Sequence, residues 1–397
     1  MSAQRVAIVG IHEFPSRYVR GRLSALQIKA QSAARALHDA GLTWRDVDAL
    51  YDGGDGMAWP GLHMPEYFDL DLSVMDTTAV GGSAYEFQVA HALRDIGSGR
   101  ANVALLSYGA IAKSSQRKTG TGEYIRTGPV DPFFNMEECW GSTVVADYAM
   151  VTKRYMHDHG IDSEQLAEIA VVARYHALRN PEAVQAIHDL GLRPGACAIS
   201  VEDVLSSDMI ADPLRLLDCC IISDGGGAVV LASENVARNC RSKPVWVLGA
   251  AEAPRFRRNQ DDLTLTGAAR SGPMAFQQAG VKPSEIDVAM IYDSFTISVL
   301  SALEDLGFCK KGEGGAFVQG GRLRFDSPGR PALNTDGGGL SSNHPGQRGI
   351  FLLIEATRQL RGTSTSQVTN ARLALAHGTG GTLSRRHASG SVILAGD

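Results

Sequence analysis

The sequence predicts an α/β protein built from one structural unit that occurs twice, and two similarities between its halves lead to that prediction. Ala-Gly-Leu at residues 40–42 recurs as Ala-Gly-Val at residues 279–281. A glycine-rich segment at residues 80–83 recurs at residues 336–339, each time ahead of a helix-like stretch. Self-similarity of this kind is the sequence signature of a repeated fold.

The two copies differ in length, which predicts an insertion in the first one. Equivalent segments of the two copies are separated by more residues at the start of the unit than at its end. The extra residues therefore belong to the first copy. We place the inserted region at residues 112–208, and the first half at residues 1–111 and 209–240. The second half then comprises residues 241–397. Because long insertions tend to be functional, this region is expected to cover a site or an interface.

Apolar periodicity predicts alternating strands and helices in the first half. Residues 6–9 are a short buried strand, and residues 24–40 repeat small and apolar side chains at helical spacing up to a C-capping Gly41. The other elements predicted for this half are a helix at 84–96 and strands at 47–51, 103–107 and 226–231.

The inserted region and the second half continue this pattern. The insertion contains helical periods at 144–159 and 163–179, the second opening on a capping segment. The elements predicted for the second half are strands at 245–248, 288–291, 373–376 and 392–394 and helices at 267–279, 297–306 and 346–360. Strands separated by helices imply central sheets with helices on both faces.

Composition and charge exclude several classes of protein. Hydrophobic residues make up 44% of the 397 residues and charged residues 20%, which is typical of a folded chain with a large core. A net charge of −5 without a basic run argues against nucleic acid or an anionic membrane as the main partner. The apolar runs are too short to span a membrane, and the N-terminal segment lacks a signal-peptide pattern.

The cysteines indicate a reducing compartment. The chain has 6 cysteines and no Cys-x-x-Cys spacing, and Cys219 and Cys220 are adjacent. This arrangement disfavours both a metal site and a disulfide framework. We therefore expect a cytoplasmic protein that holds no metal ion.

Three motifs in the second half resemble the signatures of the thiolase superfamily. They are Tyr-Asp-Ser-Phe at 292–295, Asn-His-Pro at 343–345 and His-Gly-Thr-Gly-Gly at 377–381. Thiolases carry Asn/His-Glu-Ala-Phe, Gly-His-Pro and Cys-x-Gly in the same order. The resemblance covers essentially the whole chain and is closest to the lipid-transfer-type branch. That branch includes the thiolase half of sterol carrier protein X and bacterial aldolases that shorten steroid side chains.

The resemblance implies an architecture and an assembly. It implies a duplicated thiolase fold with two βαβαβαββ halves, stacked as five layers in the order α-β-α-β-α, with a loop domain inserted in the first half. It also implies a homodimer and a small partner protein that carries an OB-fold and a zinc ribbon. The aromatic and methionine content of the inserted region, residues 112–208, favours contact with the partner there.

The chain departs from this family at the nucleophile. Gly82 stands where a working thiolase carries its cysteine, and a glycine cannot form an acyl-enzyme. We expect Gly82 to present a backbone N–H at a helix N-terminus to a carbonyl oxygen or oxyanion, and the alternative is that Gly81 and Gly82 only form a tight turn between a strand and a helix. The next residue, Ser83, is expected to cap the helix, and the alternative is that it serves as a substitute nucleophile.

The first motif also departs from the family pattern. Tyr292 replaces the usual Asn or His, and Asp293 replaces the usual Glu. At the family's reaction centre, Tyr292 is expected to take part in proton transfer, and the alternative is a packed ring with a solvated hydroxyl. Asp293 is expected to orient neighbouring N–H groups, and the alternative is an ordinary turn residue.

Two histidines complete the predicted site. His344 matches the family's oxyanion-hole histidine, which hydrogen-bonds the thioester carbonyl, and Asn343 beside it is expected to bind substrate. His377 lies near the family's second, acid/base cysteine, and imidazole suits proton transfer near neutral pH. Gly380 is expected to let the backbone approach the substrate.

The missing nucleophile and Tyr292 predict retro-aldol cleavage of a β-hydroxyacyl-CoA that carries a steroid or other lipid side chain. Coenzyme A would enter as part of the substrate, with no permanently bound cofactor. The same groups would serve the reverse condensation. Two alternatives stay open: an acyltransferase with another nucleophile such as Cys139, and a non-catalytic subunit that binds acyl-CoA or lipid.

Overall fold

The computed structural model describes residues 4–53, 60–115, 143–256, 262–383 and 385–397. Its strands are β1 (Val6–Glu13), β2 (Ala49–Asp52), β3 (Val74–Asp76), β4 (Val103–Ala110), β5 (Met209–Ala211), β6 (Leu214–Arg215), β7 (Gly225–Ser233), β8 (Val245–Arg255), β9 (Val288–Ile291), β10 (Ala332–Leu333), β11 (Leu373–Thr382) and β12 (Arg385–Ala395). Its helices are α1 (Ala25–Ala40), α2 (Pro60–Phe68), α3 (Ala84–Gly97), α4 (Val144–His159), α5 (Ser163–Ala177), α6 (Pro181–Leu190), α7 (Val201–Ser206), α8 (Glu234–Ala237), α9 (Ala268–Ala279), α10 (Thr296–Asp305), α11 (Gly314–Val318), α12 (Gly338–Ser341) and α13 (Gly349–Arg361).

Local capping explains where the first helix begins and ends. The Ser24 side chain accepts a hydrogen bond from the Gln27 backbone, and the Gln27 side chain accepts one from the Ser24 backbone. This capping box satisfies two N–H groups that the first helical turn leaves unpaired. Gly41 ends α1 with a φ of 77°, a left-handed conformation that suits glycine, so the predicted C-cap is confirmed.

The sheet repeats its strand order on either side of its centre. Ten strands form one sheet in the order β10-β9-β11-β12-β8-β1-β7-β4-β2-β3, and β5 pairs with β6 in a separate hairpin. From the centre outward, β1-β7-β4-β2-β3 mirrors β8-β12-β11-β9-β10. The predicted duplication is therefore confirmed. The two halves join where β1 and β8 pair through Ala7–Trp246 and Ile8–Val245.

Helices cover both halves in alternating layers. Helices α3 and α13 lie together in the middle, where α3 packs on β4 and β12 and α13 packs on β1 and β11. Helix α1 covers the outer side of β1, β4 and β7, and α9 covers the outer side of β8 and β12. The order helix, sheet, helix, sheet, helix agrees with the predicted five layers.

The described part of the inserted region packs on the second half. Its helices α4 to α7 occupy residues between 144 and 206. Leu166 and Ile169 of α5 share one core cluster with Ile297 and Leu300 of α10. The insertion therefore extends the core of the second half beyond its outer helices.

Three strands of the second half, β8, β11 and β12, are much longer than their sequence patterns indicated, and β11 bears on the site. Residues 373–376 were expected as a strand, but β11 runs from Leu373 to Thr382 and includes the whole glycine-rich motif. The motif pairs with β12 up to Thr382 because glycine in a strand permits close approach of neighbouring backbone. No helix within the described ranges is long and apolar enough to cross a membrane.

Candidate active site

The centre of the site is the contact between Gly82 and Tyr292. Gly82 lies in the turn Gly81–Ser83 that leads into α3, and Tyr292 follows the last residue of β9. A β-carbon added to Gly82 would stand 2.1 Å from the Tyr292 Cε2 atom and 2.4 Å from its Cζ atom. The tyrosine ring therefore occupies the space into which a side chain at position 82 would point.

Tyr292 and His344 form a hydrogen-bonded pair. The Tyr292 hydroxyl oxygen lies 2.9 Å from His344 Nε2, and the two rings meet edge to face with centroids 5.6 Å apart. Both side chains are nearly inaccessible, at 5% and 4% exposure. The structure thus brings together two of the residues predicted to act on the substrate.

Burial keeps both members of this pair neutral. It lowers the pKa of His344 to about 4, and the Arg348 guanidinium acts in the same direction. It raises the pKa of the Tyr292 hydroxyl well above its usual value. Because neither ring is charged at neutral pH, His344 cannot stabilise a phenolate as a cation. It can instead accept a proton that the tyrosine passes on.

The backbone of His344 is anchored by Ser223. The His344 N–H donates to Ser223 Oγ at 3.0 Å, and the Ser223 N–H donates to the His344 carbonyl at 3.4 Å. Within the described residues, His344 Nδ1 has no hydrogen-bond partner. The ring is therefore held by its main chain and by Tyr292.

Asp293 orients backbone N–H groups, as its position predicted. Its carboxylate accepts hydrogen bonds from the Gly339 N–H at 2.7 Å and the Leu340 N–H at 3.2 Å. Its Oδ1 also lies 3.2 Å from Arg348 Nε. Burial raises the pKa of Asp293 to about 6, against the opposing effect of the Arg348 charge. Asp293 thereby fixes α12, the helix that leads into His344, and acts as a positioning residue.

Both polar groups of the Asn343 side chain form hydrogen bonds within the protein. Its Nδ2 donates to Glu13 Oε1 at 2.5 Å, and its Oδ1 accepts from Arg348 Nη1 at 2.6 Å. Both ends of the amide are therefore engaged inside the protein. These contacts fix the chain before His344, and the substrate-binding role of Asn343 stays a prediction.

His377 lies on the other face of the sheet from Tyr292. Successive side chains along a strand point to opposite faces. Ala376 belongs to the central cluster that contains Tyr292, whereas the His377 Nδ1 atom lies 2.9 Å from Ser391 Oγ, which in turn contacts Ser271 of the outer helix α9. Burial lowers the pKa of His377 to about 3. The structure does not bring this predicted acid/base group to the Tyr292–His344 pair.

Ser83 and Gly380 pack closely against each other. The Ser83 hydroxyl donates to the Val80 carbonyl at 3.1 Å, and α3 has no side-chain cap from Ser83, so that prediction is wrong. A β-carbon at Gly380 would stand 1.7 Å from the Val80 carbonyl oxygen and 2.8 Å from Ser83 Oγ. Gly380 therefore admits backbone, as expected, but the backbone it admits is the turn before α3.

The alternative nucleophiles are placed as follows. Cys139 lies outside the described residues. Cys220 lies near Tyr292, and burial raises the pKa of its thiol well above the usual value. A thiol reacts as its thiolate, so Cys220 is poorly suited to acyl transfer at neutral pH. Among the described residues, no three His, Cys, Asp or Glu side chains are placed to hold a metal ion.

One buried group at the site was not predicted from the sequence. Glu86 lies one turn into α3 with 0% exposure, and neither of its carboxyl oxygens has a hydrogen-bond partner among the described residues. A glutamate within a predicted helix gives no sequence signal that its side chain is buried. Only the packing of α3 between two sheets reveals it.

Comparisons with known proteins agree with this fold. A family model described as Thiolase C-terminal domain-like matches residues 249–395. A steroid side-chain-cleaving aldolase from Thermomonospora curvata is 34% identical over 382 residues, which cover 92% of each chain. The 17-hydroxy-3-oxo-4-pregnene-20-carboxyl-CoA lyase of Mycobacterium tuberculosis is 34% identical over 390 residues, covering 93% of this chain and 94% of the lyase.

A solved structure is also similar along the whole chain. It is that of the Ltp2-ChsH2(DUF35) aldolase, with a TM-score of 0.86, 30% identity and coverage of 99% of this chain and 98% of that one. The family model, the two full-length relatives and this structure agree with the duplicated α/β fold. The chain therefore belongs to the thiolase superfamily, in the branch of the steroid side-chain-cleaving aldolases.

Proposed function

We propose that this protein is a lyase that cleaves a carbon–carbon bond of a β-hydroxyacyl-CoA by a retro-aldol reaction. The observation that carries the proposal is the Tyr292 ring in the space beside Gly82. A side chain that could form an acyl-enzyme is absent from position 82, and a hydroxyl paired with an imidazole stands there instead. Such a pair can move protons.

The first step is removal of the proton from the substrate's β-hydroxyl group. The Tyr292 oxygen receives this proton while its own proton passes to His344 Nε2 along their 2.9 Å hydrogen bond. His344 is uncharged before the reaction, so its Nε2 atom has a lone pair for this proton. The O–H electron pair then forms a carbonyl group, and the bond to the α-carbon breaks.

The second step leaves an enolate of the CoA thioester. We assign the backbone N–H of Gly82 to its oxygen, because Gly82 lies in the turn that opens α3, a helix of 14 residues. A helix N-terminus favours developing negative charge, and preorganised donors for an oxyanion often contribute about 100-fold or more in rate. No covalent bond between substrate and protein is needed.

The substrate class follows from the relatives. The compound named for the Mycobacterium tuberculosis lyase carries a hydroxyl on the carbon next to the one that bears the thioester. It is therefore a β-hydroxyacyl-CoA with a steroid ring system. We propose a steroid or similarly bulky lipid side chain for the substrate of this protein, with coenzyme A as part of the substrate.

Cleavage and protein mass together test this function. Purified protein is incubated with 17-hydroxy-3-oxo-4-pregnene-20-carboxyl-CoA and, separately, with other β-hydroxyacyl-CoA thioesters, and the ketone and the shortened acyl-CoA are measured. We expect both products and an unchanged intact protein mass. An acyl adduct on Cys139, Cys220 or Ser83 would instead support acyl transfer. Binding of these thioesters with neither cleavage nor adduct would support a non-catalytic subunit.

We also propose that the protein works as a homodimer with a small partner that carries an OB-fold and a zinc ribbon. The related structure has two named components, Ltp2 and ChsH2(DUF35). Exposed apolar side chains occur at Met150 on the inserted region and at Met209 and Ile210 directly after it, which suits contact with another protein. β3 is an edge strand of the sheet and is open to pairing with a second copy.

Size measurement and co-purification test this assembly. Light scattering of the protein alone should give the mass of two chains, and co-expression with the partner should yield a larger complex. Matched variants with Met150→Lys and Met209→Lys should lose the partner while keeping the dimer. A monomer that is fully active alone would contradict both parts.

A further inference from the structure

Glu86 is a buried acid beside the reaction centre that the mechanism above does not use. It is fully buried on α3, and both carboxyl oxygens lack hydrogen-bond partners among the described residues. A carboxyl group buried without partners is costly to folding. Such a cost is commonly found where a group is needed for chemistry.

Three glycines from separate parts of the second half make room for the Glu86 side chain. A β-carbon at Gly378 of β11 would stand 2.0 Å from Glu86 Oε2, and one at Gly349 of α13 would stand 2.6 Å from the same atom. A β-carbon at Gly390 of β12 would stand 2.5 Å from Glu86 Cβ. Any larger residue at these positions would displace the carboxyl group.

The space that the Glu86 side chain fills beside these glycines adjoins the proposed site. The β-carbon built at Gly349 would also stand 2.4 Å from the Gly82 carbonyl oxygen. Gly82 and the Glu86 carboxyl group are therefore neighbours. Gly378 faces this side of β11, the side opposite to the His377 side chain. Gly82 also contacts the Tyr292 ring. The carboxyl therefore lies on the reacting side of the sheet, next to the turn that we assign to the enolate.

The surroundings keep Glu86 protonated at neutral pH. Burial raises its pKa to about 8, and no charged side chain contributes to that shift. The strands and helix packed around it present Gly349, Gly378 and Gly390. On its side of the sheet, Tyr292 and His344 of the site are neutral, and Glu252, which is in register with Gly390, is paired with His91 of α3 at 2.8 Å.

We propose that Glu86 is the acid that protonates the α-carbon of the thioester enolate. This assignment rests on the proposed retro-aldol function and completes its proton balance. The β-hydroxyl proton goes to the Tyr292–His344 pair, the carbon–carbon electron pair becomes the enolate, and the Glu86 proton goes to the α-carbon. The proton held by the pair then returns to the Glu86 carboxylate through solvent, and the protein is restored.

Hydrogen exchange at the α-carbon tests Glu86 without the cleavage step. Propionyl-CoA in D₂O serves as the probe, because reversal of the last step removes an α-proton and returns deuterium. We expect the parent protein to label propionyl-CoA, and Glu86→Gln to label it about 100-fold or more slowly. Tyr51→Phe, which removes a buried hydroxyl that bonds Asp95 outside the site, should exchange within about tenfold of the parent.

The parent protein provides a second readout that needs no variant. Hydrogen exchange requires the Glu86 carboxylate, which removes the α-proton. Cleavage requires the Glu86 carboxylic acid, which protonates the enolate. Exchange should therefore rise, and cleavage should fall, as pH passes through about 8. Glu86→Gln should lack both dependences. This readout holds even if Glu86→Gln folds poorly.

The two proposals fail in different ways. A parent protein that cleaves β-hydroxyacyl-CoA but does not label propionyl-CoA would overturn the role of Glu86 and leave the lyase function standing. A parent that labels propionyl-CoA but cleaves nothing would overturn the lyase function and support Glu86 as an α-carbon acid. A folded Glu86→Gln variant with parental exchange would also overturn the assignment.

Discussion

At the scale of single residues, the loss of a nucleophile and the gain of a base are one structural change. Tyr292 fits only because position 82 carries no side chain, as the 2.1 Å separation from a Gly82 β-carbon shows. The hydroxyl is then directed to His344. A thiolase-type cysteine and this tyrosine exclude each other sterically.

Gly82→Ala tests this exclusion. The added methyl group would collide with the Tyr292 ring and with the Thr379 carbonyl, which would stand 2.5 Å away. We expect a loss of about 1–3 kcal/mol in the free energy of unfolding and a drop in turnover of at least about tenfold. Thermal melting and steady-state kinetics measure these. Gly97→Ala, whose β-carbon would meet only the Gln4 carbonyl at 4.0 Å, should retain parental stability and turnover. Equal behaviour of the two variants would contradict the packing argument.

A comparison of two histidines tests which one serves the reaction. His344→Ala removes the partner of Tyr292, and we expect turnover to fall about 100-fold or more. His377→Asn loses a buried contact with Ser391, which should lower the free energy of unfolding by about 1–3 kcal/mol. Its turnover should stay within about tenfold of the parent's, because its side chain faces away from the site. A larger kinetic effect at His377 than at His344 would reverse the assignment.

At the scale of elements, the site depends on short segments that a few buried charges hold in place. The turn before α3 presents Gly82, and α12 presents the chain that leads to His344. Asp293 and Arg348 fix α12 through hydrogen bonds and an ion pair, and both side chains are fully buried. Breaking a buried pair by removing one charge is costly because the other charge stays buried.

Asp293→Asn should therefore affect stability and turnover together. We expect the free energy of unfolding to fall by about 3–5 kcal/mol because Arg348 would lose a buried partner. Turnover should fall as well, since α12 positions His344. Asp158→Asn is the matched control, because it breaks an exposed ion pair with Arg154 on α4. That variant should cost about 0.5 kcal/mol or less by urea unfolding. Similar losses in the two variants would argue against a positioning role for Asp293.

The sequence predicted which helices and strands occur better than it predicted which face of a strand each side chain occupies. Two helices end at the matching glycines Gly41 and Gly280. This repeated C-cap helped to predict two matching halves, because a glycine C-cap is a local signal for the end of a helix. The sequence did not show which face of β11 the His377 side chain occupies, because the glycines after it gave no strand signal. A shift of one residue along a strand moves a side chain to the other face.

The role of other site residues depends on contacts that sequence cannot show. Asn343 is engaged by Glu13, which lies at the far end of the chain. Glu86 is buried because three distant glycines accommodate it. The thiolase-like motifs indicated His344 and Tyr292 because their positions in the family pattern carry function. The direct hydrogen bond between them came from the fold.

At the scale of the whole molecule, burial of acids in the central layer links folding to pH. Glu86 has a pKa of about 8 when folded and about 4.5 when unfolded. A group whose pKa is raised by folding stabilises the protein fully below its unfolded pKa, and this contribution is lost as pH rises through the folded value. Stability should therefore decline as pH rises toward about 8, and His91, whose pKa its hydrogen bonds to Asp76 and Glu252 raise to about 9, adds to this decline above pH 6.5.

Glu86→Gln should remove much of this decline. The amide does not titrate, so the variant's stability relative to the parent should increase with pH by up to about 1.4 kcal/mol per unit between pH 6.5 and 8. Urea unfolding at several pH values measures the difference. A constant difference across this range would mean that the Glu86 carboxyl ionises as readily in the folded protein as in the unfolded chain.

The central claim is that the Tyr292 hydroxyl starts carbon–carbon cleavage, and Tyr292→Phe tests it most directly. The change keeps the ring against Gly82 and removes the oxygen that bonds His344. Tyr51→Phe is the matched control, because that buried hydroxyl bonds Asp95 at 2.7 Å, away from the site. On a β-hydroxyacyl-CoA that the parent cleaves, we predict that Tyr292→Phe lowers turnover about 100-fold or more while Tyr51→Phe keeps parental turnover. Near-parental turnover by a folded Tyr292→Phe variant would contradict the mechanism.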